Sequence, residues 1–177
     1  KLYIHTNTIF MTLSFLKKIS AALSLTIVLM ACNSTKSVSV SEYFTEYDKV
    51  PENTAIYFSR GACFGQCPED QLFISLGGEL QYRGKRNVKN EGRYTASNFG
   101  KAEFEQLQQE LIDMNIFSFT EDYTGNIADF PPYTIFMQKD GKAIKIDAKS
   151  EYPEELKAII VKFRLLIEGL KLEALDH

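Results

Sequence analysis

The sequence predicts an α+β domain. Its expected form is an antiparallel sheet of two hairpin units, covered on one face by two amphipathic helices, in the order β-β-β(-β)-α-β-β-α. Three observations carry this. Apolar residues alternate with period two on both sides of Gly77-Gly78. The alternation returns on both sides of Asp140-Gly141. Each hairpin is followed by a stretch in which apolar residues recur every three or four positions, the period of a helix with one buried stripe.

Thr54 to Arg60 reads as the first strand, with Ile56 and Phe58 opposed to Tyr57. Gln71 to Leu76 reads as the second, with Leu72, Ile74 and Leu76 on one face. Gly77-Gly78 is a two-residue hairpin signal, and Leu80 and Tyr82 carry the return strand to Gly84. Asn87 to Thr95 adds a further strand, broken near Asn90-Glu91-Gly92. Phe104, Leu107, Leu111 and Met114 then take helical spacing, with Ser97 or Asn98 placed to cap the helix. Ile116, Phe117 and Phe119 form an apolar exit toward the core, and a long loop runs through Tyr123, Gly125, Asn126 and Asp129 to Pro131-Pro132. Tyr133 to Lys139 and Lys142 to Ala148 make the second hairpin. The last helix begins near Pro153, a residue that suits a first helical turn, and Glu154 and Glu155 complement its dipole. Leu156, Ile159, Ile160, Phe163, Ile167 and Leu170 are its buried stripe.

The N-terminal stretch has a different character. Lys17 and Lys18 precede an apolar run of 13 residues, Ile19 to Ala31, which ends in Leu29-Met30-Ala31-Cys32. A spanning helix needs about 20 apolar residues, so the run is too short to be an anchor and fits a secretory signal. Leu29-Met30-Ala31-Cys32 resembles the lipobox of bacterial lipoproteins, in which the cysteine is lipidated and becomes the first mature residue. Met11 is the expected start, since it places both lysines in a basic leader. The expected organisation is upstream residues plus signal over 1–31, lipidated Cys32 and a polar tether over 32–50, and one domain over 51–177. Tyr43, Phe44 and Tyr47 are the tether residues able to dock on that domain. The expected location is the cell envelope, on the outer membrane facing the periplasm. Asn33-Ser34-Thr35-Lys36 carries neither the aspartate that resembles an inner-membrane retention signal nor the acidic cluster that resembles a surface-export signal.

Removing Lys1, Lys17 and Lys18 with the signal leaves 17 basic against 23 acidic groups, a net charge of −6. That disfavours nucleic acid, which needs a basic surface. Lys85-Arg86 and Lys89 form a local basic patch that reads as a solvated hairpin edge. His177 is the one histidine left after cleavage, so nucleophile–histidine pairs and zinc hydrolysis lack their partners. No glycine-rich phosphate loop leads into a helix, and the absence of tryptophan disfavours an aromatic sugar platform. Glu69-Asp70 and Asp122 with Asp129 supply carboxylates, but Glu69-Asp70 and Asp129 read as turn residues. The reading is therefore a non-enzyme with no cofactor beyond the lipid. The membrane, through that lipid, is one partner. The other, a protein or small molecule, has no signature here, and neither has the oligomeric state.

With Cys32 given to the lipid, Cys63 and Cys67 remain as a pair in an oxidising compartment. A disulfide between them closes a five-residue loop around Phe64-Gly65-Gln66. Arg60, the run Ala62-Cys63-Phe64-Gly65-Gln66-Cys67-Pro68, Tyr82-Arg83-Gly84, Gly92-Arg93-Tyr94, Phe104-x-x-Leu107 and Asp129-x-Pro131 together carry a resemblance. They look like a bacterial, lipoprotein-associated domain family of unknown function marked by a Cys-Phe-Gly-x-Cys-Pro segment. The resemblance implies a fold and a compartment but no chemistry. Arg60, Tyr82, Tyr94 and Asp129 are the candidate binding surface. Cys-x-x-x-Cys-Pro also resembles the copper motif of thioredoxin-like chaperones of cytochrome oxidase assembly, so copper binding or thiol redox work by Cys63 and Cys67 is the alternative. Soft thiolates suit copper(I). Against it, that motif needs a downstream histidine and leads into a helix, whereas strand alternation follows Pro68 here.

Overall fold

The computed structural model describes residues 38–45, 48–125 and 130–175. Cys32, the lipobox, Tyr47, Asp129 and His177 lie outside the described residues. Strands β1 (Thr54–Arg60), β2 (Glu69–Ser75), β3 (Leu80–Arg86) and β4 (Gly92–Ala96) precede helix α1 (Lys101–Asp113). Then come β5 (Asp122–Tyr123), β6 (Tyr133–Lys139), β7 (Lys142–Ala148), helix α2 (Glu154–Gly169) and β8 (Leu172–Ala174).

All eight strands form one sheet in the order β5-β7-β6-β1-β2-β3-β4-β8. The fold class is α+β, as expected, but the sheet is mixed, because β5 runs parallel to β7. The two hairpins are not separate units either. β1 pairs with β2 on one side and β6 on the other, making the sheet continuous. The Asp140-Gly141 turn has positive φ at both residues (52° and 75°), the geometry that matches strand twist in a tight hairpin.

Both helices pack on one face. Phe104, Leu107 and Leu111 of α1 and Leu156, Ile159, Ile160, Phe163 and Ile167 of α2 join Ile56, Phe58, Leu72, Ile74, Leu80, Tyr82, Ile135 and Ile146 in the main core. Phe58 stacks on Phe163 with ring centroids 4.7 Å apart. Each such fully buried side chain contributes about 1.5–3 kcal/mol. The opposite face is covered too. Val40 and Phe44, from the stretch read as a tether, pack with Tyr57, Phe73 and Phe136 in a second cluster. Phe44 meets the rings of Tyr57 and Phe136 edge-on at 5.3 and 5.4 Å.

Two local expectations are corrected. Neither Ser97 nor Asn98 caps α1; Gly100 is its cap, and the Gly100 N–H donates to Glu103 Oε2 at 2.9 Å. Asn98 instead serves the end of α2, donating to the Gly169 carbonyl at 2.9 Å and accepting from the Lys171 N–H at 2.7 Å. Glu69-Asp70 is not a turn but the start of β2, with Asp70 fully buried.

Candidate functional site

Strand register aligns Tyr133, Arg60, Asp70, Gly84 and Gly92 in one row across β6, β1, β2, β3 and β4. Arg60 follows Ile56 and Phe58 at two-residue steps, so the row lies on the helix-covered face. It sits at the end of the sheet from which the cysteine loop projects.

Asp70 is the centre of the row. Its Oδ1 accepts from Arg60 Nε at 2.7 Å, and its Oδ2 accepts from Arg60 Nη2 in a two-pronged pair. The Tyr82 hydroxyl donates to the same Oδ2 at 3.0 Å. Asp70 has no exposed side-chain surface and Arg60 retains 14%. The bond to Asp70 is the main cause that holds the Arg60 guanidinium above its ordinary pKa. Burial, then the Asp70 charge, drives the Tyr82 phenol well above its usual value, so it stays a neutral donor. Among the described residues no buried side-chain polar atom lacks a partner. The carboxylate is occupied from both oxygens, which suits a structural clamp better than an acid or base.

The clamp closes the base of the cysteine loop. Cys63 and Cys67 are disulfide-bonded, with Cα atoms 5.8 Å apart. The Gly65 N–H points to Cys63 Sγ at 3.2 Å, and Asn87 Nδ2 donates to the Cys67 carbonyl at 3.2 Å. The Gly61 N–H donates to the Pro132 carbonyl at 2.7 Å, which fastens the loop to the lead-in of β6. At the tip Phe64 is 89% exposed. Beneath the β3–β4 loop a cavity of about 330 Å³ is lined by Arg60, Pro68, Tyr82, Lys89, Asn90 and Glu168, among others.

Of the sequence candidates, Arg60 and Tyr82 are brought together through Asp70. Tyr94 lies beside Tyr82, ring centroids 6.3 Å apart, and donates to the Glu91 carbonyl at 3.0 Å. Asp129 is outside the described residues. Sequence reasoning took Asp70 for a turn residue and gave Gly84 no role beyond its place in the Tyr82-Arg83-Gly84 run. A signal for Asp70 was present. Cys63 and Cys67 are symmetric about Gly65, and so are Arg60 and Asp70, so a hairpin centred on Gly65 sets Arg60 opposite Asp70. No group of three or more His, Cys, Asp or Glu side chains converges as a metal site among the described residues.

Residues 54–167, from the first residue of β1 to near the end of α2, match the model of a family described as a domain of unknown function, DUF6438. The chain belongs to the DUF6438 family. The clamp, the disulfide loop and the cavity beside Arg60 all fall within or border the DUF6438 segment, while Val40–Phe44 and β8 lie outside it. No curated protein and no solved structure matches the chain.

Proposed function

We propose that this DUF6438 protein is a lipid-anchored module of the bacterial cell envelope that binds a partner and performs no catalysis. One observation supports the non-catalytic part: the buried Asp70 carboxylate accepts from Arg60 at both oxygens and from the Tyr82 hydroxyl at one. A disulfide-closed loop that carries Phe64 in solvent supports the binding part, because an exposed aromatic on a constrained loop is a ready anchor for a partner pocket. The anchoring part rests on Leu29-Met30-Ala31-Cys32. Seven residues lie between Cys32 and Val40, which limits Val40 to within about 29 Å of the lipidated cysteine. No helix among the described residues is long and apolar enough to cross a membrane. The outer membrane, periplasmic side, is the expected seat.

The test is replacement of Cys32 by Ser followed by membrane fractionation. Stable anchoring needs more than one acyl chain, so loss of the acylated cysteine should release the protein or block its processing. A variant that fractionates and migrates like the wild type would remove the lipid anchor from this reading.

A further inference from the structure

On the sheet face opposite the helices, Arg83 of β3 stands directly across from Arg93 of β4. Directly opposed like charges destabilise a strand pair, so this arrangement conflicts with the local rules of sheet building. Such conflicts mark positions where something other than stability is being served. Some cations of the domain are partnered: Arg60 with Asp70, Lys85 and Arg86 with Glu69, Lys145 with Asp147, Lys162 with Glu110. Among the described residues no carboxylate forms an ion pair with Arg83 or Arg93, nor with Lys49, which approaches from the N-terminal segment. The neighbouring Asp48 is turned to Thr45, accepting from its N–H at 2.7 Å and its hydroxyl at 2.9 Å. Lys49 itself is held at a φ of 53°, in the left-handed region. Lys49, Arg83, Arg93 and Gln81 line one concavity of about 80 Å³, floored by Phe73. A concavity of that size has room for a single tetrahedral oxyanion.

We propose that Lys49, Arg83 and Arg93 form a binding site for one phosphate group. Two guanidinium forks and an ammonium supply only donors, and the guanidinium matches phosphate oxygens in pairs. A bound phosphate also removes the Arg83–Arg93 repulsion. The site stands without the lipid anchor. Only the source of the phosphate draws on that reading: within tether reach the candidates are a phospholipid headgroup and free phosphate.

The test is thermal unfolding and titration of the full-length protein in neutral detergent, with inorganic phosphate against chloride at matched ionic strength. Phosphate should raise the melting temperature saturably. Arg83→Gln should weaken phosphate affinity by at least about tenfold, the value of one charge-assisted bond. It should also raise the melting temperature without phosphate, because the repulsion is gone; loss of a merely structural contact would lower it. Lys85→Gln, at a lysine paired with Glu69, should leave phosphate affinity unchanged. Reconstitution into phosphatidylglycerol vesicles, compared with the same protein in phosphate-free neutral detergent, separates the sources. Competition that depends on Arg83 assigns a headgroup, and undiminished phosphate binding assigns the free ion. Equal melting in phosphate and chloride would overturn the proposal. So would a lower basal melting temperature in Arg83→Gln, since a carboxylate of this chain would then already hold the arginine pair.

Discussion

The carbonyl oxygen of Asn90 lies over Gly84, in the space a methyl group there would occupy. Gly84 faces Gly92 across β3 and β4, and this pair leaves a notch into which the β3–β4 loop folds. The loop thereby roofs the cavity beside Arg60, and Asn87 ties it to the cysteine loop. Glycine at 84 is thus a packing requirement at the base of the proposed binding end.

Replacing Gly84 by Ala should therefore push the loop off the sheet. The added carbon would overlap the Asn90 carbonyl and meet Val88 Cγ2 at 2.8 Å. A loss of about 1–3 kcal/mol, the usual cost of overpacking, is expected in chemical denaturation. Gly65→Ala is the control at the same end. Its nearest neighbour would be Cys63 Sγ at 3.7 Å, and the change should stay within about 0.5 kcal/mol.

Removing both Cys63 and Cys67 should lower stability by about 2 kcal/mol, the loop-closure value for so small a ring. The domain should still fold on its main core. Thiol titration of the unreduced, denatured protein should find this pair blocked. Two reactive thiols, or one tightly held copper ion per chain, would put the copper and thiol-redox reading first.

Alkaline pH should unfold the domain through its tyrosines. Burial raises the phenols of Tyr82, Tyr57 and Tyr152 above the ordinary value of 10.0. In the unfolded chain these groups lose their protons near pH 10 while the folded state keeps them. Their contribution is therefore fully present below pH 10 and is lost as pH rises beyond it. Tyr82→Phe should cost about 1 kcal/mol at neutral pH through the lost bond to Asp70. It should also flatten the fall in stability above pH 10, followed by denaturation midpoints from pH 8 to 12.

The main strands and both helices were legible because each has enough residues to display its period. β5 and β8, of two and three residues, display none, and tertiary pairing alone creates them. That is why the sheet was expected to be purely antiparallel. Val40 and Phe44 stand alone in a serine-rich stretch, so composition gave a tether, although Phe44 was marked as able to dock. Asp70 was misread because an acidic pair after Cys-Pro has the composition of a turn. Its burial is decided by the partner strands, which bring Arg60 and Tyr82 to it. Gly84 stood in the Tyr82-Arg83-Gly84 run, but its packing role was not legible there, since it depends on where the Asn90 carbonyl falls.

Arg60 and Asp70 clamp the base of the cysteine loop, and a double-mutant cycle on the pair is the test of that clamp. Arg60→Met and Asp70→Leu should each destabilise the domain by about 3 kcal/mol or more, because each strands the other's charge in a buried site. The double variant, with two apolar side chains of similar volume, should return to within about 1 kcal/mol of the wild type, giving a large coupling energy. Single variants that cost less than about 0.5 kcal/mol, or costs that simply add in the double variant, would contradict the clamp.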